Sequence, residues 1–214
     1  MRPAPAALAF ALAGASVGCS SGPAPIDPAA PIDLSESLAP LRERFEAGPG
    51  RVRVIAALSP TTPSSIGIAR QLREDVLASL PEGWVDVSVV WVHVQPSDDA
   101  DAAYMASSAF AGYEVATFFD PFWRSGGPLA HLAGWRTLGA RAWNACFVFA
   151  PDATWPKGGV PSAPYAHVHQ LPELIELDGA TFKSGAALAL ALRQACERAL
   201  DRTPAAAVAP AGSN

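Results

Sequence analysis

Between Arg51 and Leu200 the chain switches repeatedly between a period of two and a period near four, and that alternation restricts it to an α/β architecture. Arg51–Leu58 begins as an alternation of apolar and basic residues and ends apolar, as an interior strand does. Ile68, Leu72, Val76 and Leu80 then recur at every fourth residue, with Arg70, Arg73, Glu74 and Asp75 on the other side, which predicts an amphipathic helix ended by Pro81 and Gly83. Val85–Val94 is a β-branched strand. Ser97, Asp98 and Asp99 open a helix running to about Ala111, with Asp101 in its first turn complementing the helix dipole. Val115–Phe119 is a short strand, Pro128–Ala133 a short helix and Trp143–Phe149 another strand. Tyr165–His169 can pair beside it, and a last helix spans Ser184–Leu200. An earlier short helix is expected from Pro40, where a missing N–H in the first turn is harmless, to Ala47. Strands alternating with helices predict a sheet with parallel pairs and helices on both faces.

Both ends lie outside this pattern. Arg2 precedes an apolar run from Ala6 to Ala13, followed by small residues up to Cys19. Such a run is too short to span a bilayer, which takes about 20 residues, and residues 1–18 read as a secretory signal. Two readings of Cys19 follow: an incidental residue beside an ordinary cleavage site, or an acylated first residue. Gly18-Cys19-Ser20 resembles a bacterial lipoprotein processing site, with Ser16 where such sites usually carry Leu. Ser20 after the cysteine resembles lipoproteins sorted to an outer membrane. The resemblance implies a chain on the periplasmic side of the cell envelope, touching the membrane through lipid alone. Residues 19–34, with prolines at 23, 25, 28 and 31, form a Pro/Ala-rich tether, 35–202 the folded domain, and 203–214 a second Pro/Ala-rich tail expected to be disordered.

Lys and Arg number 15 against 20 Asp and Glu, for a net charge of −5. No basic block interrupts that balance, so nucleic acid, whose binding rests on phosphate neutralisation, is excluded as the expected partner. No nucleophile elbow, phosphate loop or dinucleotide fingerprint is present, and no cofactor is expected.

The segment Leu58-Ser59-Pro60-Thr61-Thr62-Pro63-Ser64-Ser65 is a strand, a tight turn and a helix start. It resembles the position at which thioredoxin-like proteins carry Cys-x-x-Cys. The later order, including Phe118-Phe119-Asp120 and the Pro151-Asp152 turn, is similar to the peroxiredoxin and exported-reductase branch of that superfamily. The resemblance implies a three-layer α/β sandwich, a mixed sheet with helices on both faces. It also places the attacking position at Thr62 and the resolving position at Ser65. A helix N-terminus lowers a thiol's pKa, and exchange needs that thiolate and a second sulfur. Hydroxyls supply neither, so Thr62 and Ser65 are degenerate catalytic positions, and Thr62 before Pro63 reads as an ordinary helix N-cap. Thioredoxin-like sites also pair this turn with a cis-proline before the next core strand, and no proline occurs between Pro128 and Pro151.

The remaining cysteines do not restore the chemistry. Cys146 alternates within an apolar strand, and Cys196 shares a helix face with Leu188 and Leu192, so both read as buried small hydrophobes, with a structural disulfide between them as the alternative. His167 and His169 fall on one face of a strand, about 7 Å apart. They are the candidates for the start of a metal site, although the expected metal is none. Trp123, Trp135, Trp143 and Trp155 are core residues or the lining of a peptide groove. The leading expectation is an exported, non-enzymatic module that binds an unidentified protein or peptide. The alternatives are a thiol-disulfide or peroxide-handling protein using unfamiliar groups, and a metal-binding accessory protein.

Overall fold

The computed structural model describes residues 29–136 and 140–201. The segment expected to be a signal (1–18), Cys19, most of the expected tether and the C-terminal tail lie outside the described residues.

The elements in chain order are β1 Ile32–Asp33, α1 Ala39–Ala47, β2 Val52–Leu58, α2 Pro63–Gln71, β3 Val85–Val92, α3 Ala100–Ser107, β4 Val115–Asp120, α4 Gly126–Leu132, β5 Ala145–Phe149, β6 Ala166–His169, α5 Ile175–Asp178 and α6 Ala186–Asp201. They build one six-stranded mixed sheet in the order β1-β4-β3-β2-β5-β6. The first four strands of that order are parallel, while β5 runs antiparallel to β2 and β6 antiparallel to β5. This is the expected α/β arrangement.

β2 lies in the middle, and all seven of its residues are buried. Its alternate residues feed two cores. Val54, Ala56 and Leu58 pack with Ile68, Leu72, Leu188 and Leu192 from α2, its continuation and α6. Ile55 and Ala57 pack with Leu41, Phe45, Leu129 and Trp135 on the α1 and α4 side. Arg53, on that second face, is buried as well. Its guanidinium donates to the carbonyls of Phe45, Gly48, Ala150, Pro151 and Ala153 and lies 4.5 Å from the Phe45 ring centroid. The cation thereby ties α1 to the loop after β5, satisfying carbonyls that no ladder reaches.

Three differences from the sequence reading have clear causes. α2 continues as a π-helical stretch over Leu72–Leu77. A stripe recurring at every fourth residue precesses around a 3.6-residue turn, and widening the turn keeps Leu72 and Val76 both at 0% exposure. β3 ends at Val92 and α3 starts at Ala100, because residues 93–99 form a loop instead of prolonging either element. Ile32–Leu34, assigned to the tether from composition, join the sheet: Ile32 pairs with Phe118, and the Leu34 N–H donates to the Phe119 carbonyl at 2.8 Å. Leu34 is fully buried there.

Candidate functional site

Because β2, β3 and β4 are parallel, the segments that follow them meet at one edge of the sheet, where α/β proteins commonly bind ligands. These segments are residues 59–65, 93–99 and 121–125. Thr62 has extended backbone angles (φ −76°, ψ 126°) and Pro63 occupies the first turn of α2, so Thr62 stands at the N-cap position as expected. Its side chain does not cap the helix. The Thr62 hydroxyl lies 2.7 Å from Ser59 Oγ, and it is Ser59 Oγ that receives the Thr62 backbone N–H at 3.1 Å.

Ser59 is the hub. Its hydroxyl donates to the carboxylate of Asp98, with Oγ 3.0 and 2.9 Å from the two oxygens. Asp98 also accepts from the Thr61 hydroxyl and from the backbone N–H groups of Val94 and Gln95, at 2.9 and 3.1 Å for the last two. Every one of these contacts is a donor to a carboxylate, and charge-assisted bonds of this kind are the strong ones. Asp98 has no exposed surface. The sequence grouped Asp98, Asp99 and Asp101 as a helix start. Asp99 does cap α3, accepting from the Ala102 N–H at 2.8 Å, and Asp101 lies in the first turn. Asp98 instead turns inward and fastens the β3–α3 loop to the β2–α2 turn.

Ser65 is buried on the other side of the turn. Its Oγ accepts from the Ser59 N–H at 3.0 Å and donates to Asn144 Oδ1 at 3.0 Å. Asn144 directly precedes β5, the strand before which a thioredoxin-like site would carry cis-proline, and no cis peptide bond occurs among the described residues. Its backbone is left-handed, with φ 50°, a conformation Asn tolerates better than most residues. The Asn144 amide nitrogen donates to Ser64 Oγ and to the Gln170 carbonyl, at 3.2 and 3.0 Å. Thr62 and Ser65 each bond Ser59, within a network that includes Thr61, Asp98 and Asn144 and that the sequence reading missed. The one available signal was position: carboxylates and amides just after or before core strands at the sheet's binding edge.

Since the Thr62 hydroxyl meets only Ser59, Thr62→Ala should cost about 0.5–1 kcal/mol in urea unfolding. Ser59→Ala, which leaves Asp98 and the Thr62 N–H each short of a partner, should cost more, about 1–3 kcal/mol.

The other sequence candidates lie elsewhere. Cys146 and Cys196 are both free and belong to one core cluster. Burial raises the pKa of both thiols, that of Cys196 to about 12. His167 and His169 do share a face of β6, opposite Phe147 and Ala145. His169 has no lone pair left for a metal, because Nδ1 accepts from the Leu171 N–H and Nε2 bonds the Asp178 carbonyl, both at 3.1 Å. His167 Nε2 lies 2.7 Å from the Asp178 carboxylate, which also accepts from the Trp135 indole at 2.8 Å. Burial would raise the pKa of Asp178, but the hydrogen bonds from Trp135 and His167 prevail and hold it below the usual carboxylate value. Among the described residues no group of three or more His, Cys, Asp or Glu converges as a metal site. Trp135 and Trp155 are core residues, whereas Trp123 and Trp143 keep part of their rings exposed.

No protein-family model and no curated protein sequence matches the chain. Solved structures similar to it include a secreted Mycobacterium tuberculosis disulfide oxidoreductase homologous to E. coli DsbE (12% identity, 72% of this chain and 85% of that one, TM-score 0.39). A thioredoxin-like superfamily protein has 16% identity over 74% and 86%, with a TM-score of 0.40. A thiol:disulfide interchange protein of the thioredoxin family from Chlorobium tepidum TLS has 14% identity over 72% and 83%, with a TM-score of 0.36. At such distances these likenesses say nothing about chemistry at the turn.

Proposed function

We propose that this chain is an exported, lipid-anchored thioredoxin-like domain that lacks its redox dithiol and serves as a non-catalytic binding module for a protein or peptide. Its place is the periplasmic side of the cell envelope, on an outer membrane, with Cys19 as the acylated residue. One observation carries the reading: the turn that would hold two sulfurs is instead closed by Ser59, Thr62, Ser65 and the buried Asp98 carboxylate. A hydroxyl has no disulfide state, while a turn held this firmly still presents a defined surface. That surface carries exposed Gln95 and Ser97, the partly exposed Thr61, and two apolar side chains that flank the site in sequence, Ile66 at 39% and Phe122 at 65% exposure. Polar groups beside isolated apolar anchors suit an extended peptide.

Site-specific photo-crosslinking in cells tests the binding face. A photoreactive residue at position 61 should give protein adducts, and one at position 82, just before β3 at the opposite end of the sheet, should not. Equal labelling from both positions would remove the binding-face reading. Detergent-phase partitioning of wild type against Cys19→Ala tests the anchor separately. Recovery of both in the aqueous phase would leave a module without its lipid.

A further inference from the structure

The end of β6 holds a second polar system that the binding reading does not use. The His169 ring is fully buried, 5.2 Å from the Trp135 ring centroid and 5.8 Å from that of Phe182. Leu171 N–H donates to Nδ1, so the ring proton sits on Nε2 and is donated to the Asp178 carbonyl. The His169 backbone continues the same closure, its N–H donating to Thr181 O at 3.2 Å and its carbonyl accepting from Lys183 N–H at 3.0 Å. His169 thus fastens both ends of the segment 171–183, its neutral ring at Leu171 and Asp178 and its backbone at Thr181 and Lys183.

That segment connects with the candidate site. Gln170, between His169 and Leu171, donates its N–H to the Asn144 carbonyl at 2.9 Å and accepts from the Asn144 side-chain amide at 3.0 Å. Asn144 in turn bonds Ser64 and Ser65 at the start of α2. A continuous set of hydrogen bonds and adjoining residues therefore runs from the His169 ring to the β2–α2 turn.

We propose that the segment 171–183 is an acid-sensitive latch, in which a proton on His169 releases Leu171 and the release passes through Gln170 and Asn144 to Ser64 and Ser65. A second ring proton has only Nδ1 to occupy, where it would point at the Leu171 N–H, donor against donor. The charged groups facing the ring divide. Asp178, whose carboxylate is 4.0 Å from Nε2, and Glu173 favour the proton, whereas His167 on the same strand opposes it. Lys183 directs its ammonium to the carbonyls of Ala180 and Phe182. Burial is the largest effect and keeps the ring's proton affinity below that of an ordinary imidazole, at 6.5. The folded pKa is thus the lower one. The latch's contribution to stability is complete above 6.5 and is lost as pH falls below 6.5 towards the folded value.

An NMR titration of the whole domain from about pH 7.5 to about pH 4.5 tests this over the range in which histidines switch. In wild type the Leu171 amide and the Asn144 side-chain amide should shift with the His169 ring, sharing one midpoint below 6.5. His167→Gln should keep that shared step and His169→Gln should abolish it. In Asn144→Ala, Leu171 should still respond while the Ser64 and Ser65 amides fall silent. The latch is overturned if His169 titrates while Leu171 and Asn144 stay fixed, or if the shared step survives His169→Gln. Should His169→Gln fail to fold, the wild-type titration decides alone. The result is independent of whether a peptide binds at the turn.

Discussion

Replacing Thr62 and Ser65 together by cysteine is expected to convert an inert turn into an oxidisable one. Wild type should show no turnover of a model disulfide. Its described thiols, Cys146 and Cys196, are buried and free, and burial pushes the pKa of both up, away from the thiolate form near neutral pH. In the double variant the N-cap and third helical positions present sulfurs from one side of the first turn. Residues three apart on a helix have Cβ atoms about 5–6 Å apart, and a relaxed disulfide needs about 3.8 Å, so a small closure suffices. Thiol titration before and after oxidation should show the loss of two thiols relative to reduced protein.

Turnover in the double variant should remain weak, for two local reasons. Asn144 precedes β5 in place of the cis-proline that the thioredoxin-like resemblance implies, and the Asp98 carboxylate, one hydroxyl removed from Thr62, disfavours a neighbouring thiolate. Adding Asp98→Asn to the double variant should therefore raise the rate per folded molecule. A double variant that keeps all its thiols reduced under oxidant would show that the turn is shaped differently from a dithiol site. Wild-type turnover that disappears in Cys146→Ala/Cys196→Ala would assign the redox chemistry to the core cysteines.

The second large effect concerns stability. Asp98→Ala should destabilise the domain by about 3 kcal/mol or more, since it leaves two hydroxyls and two backbone N–H groups without their shared acceptor in a buried site. Asp98→Asn keeps the volume and one oxygen but turns an amide donor towards other donors, and should cost about 1–3 kcal/mol. Urea midpoints at unchanged slope measure both. If Asp98→Ala shifts stability by less than about 0.5 kcal/mol, the carboxylate does not organise this edge of the sheet. The same variant should lower crosslinking from position 61, because Asp98 accepts the Val94 and Gln95 N–H groups of the loop that presents Gln95 and Ser97.

The order of strands and helices was legible because burial imposes a period on each element. Ile68, Leu72 and Val76 mark the core side of one helix, and Val52–Leu58 reads as interior because it is buried on both faces. β1 was not legible. Two residues after Pro31 carry no period, and Ile32–Asp33 become a strand only because the edge of β4 offers partners. α5, with four residues, escaped for the same reason of length.

At the site, the sequence by itself determined which elements are present: hydroxyls at positions 62 and 65, no sulfur between β2 and α2, and a proline that starts the helix. From these the absence of a dithiol at this turn follows without coordinates, since oxidation state belongs to atoms and not to their arrangement. Only the tertiary structure decided which of three neighbouring aspartates turns inward. Asp98 meets Ser59 across 39 residues of chain, and Ser65 meets Asn144 across 79. Local pattern treats Asp98, Asp99 and Asp101 alike, because each is an acceptable residue at a helix start. What separates them is the supply of buried donors, and that supply is complete only once parallel strands have carried the loops after β2 and β3 to one edge of the sheet.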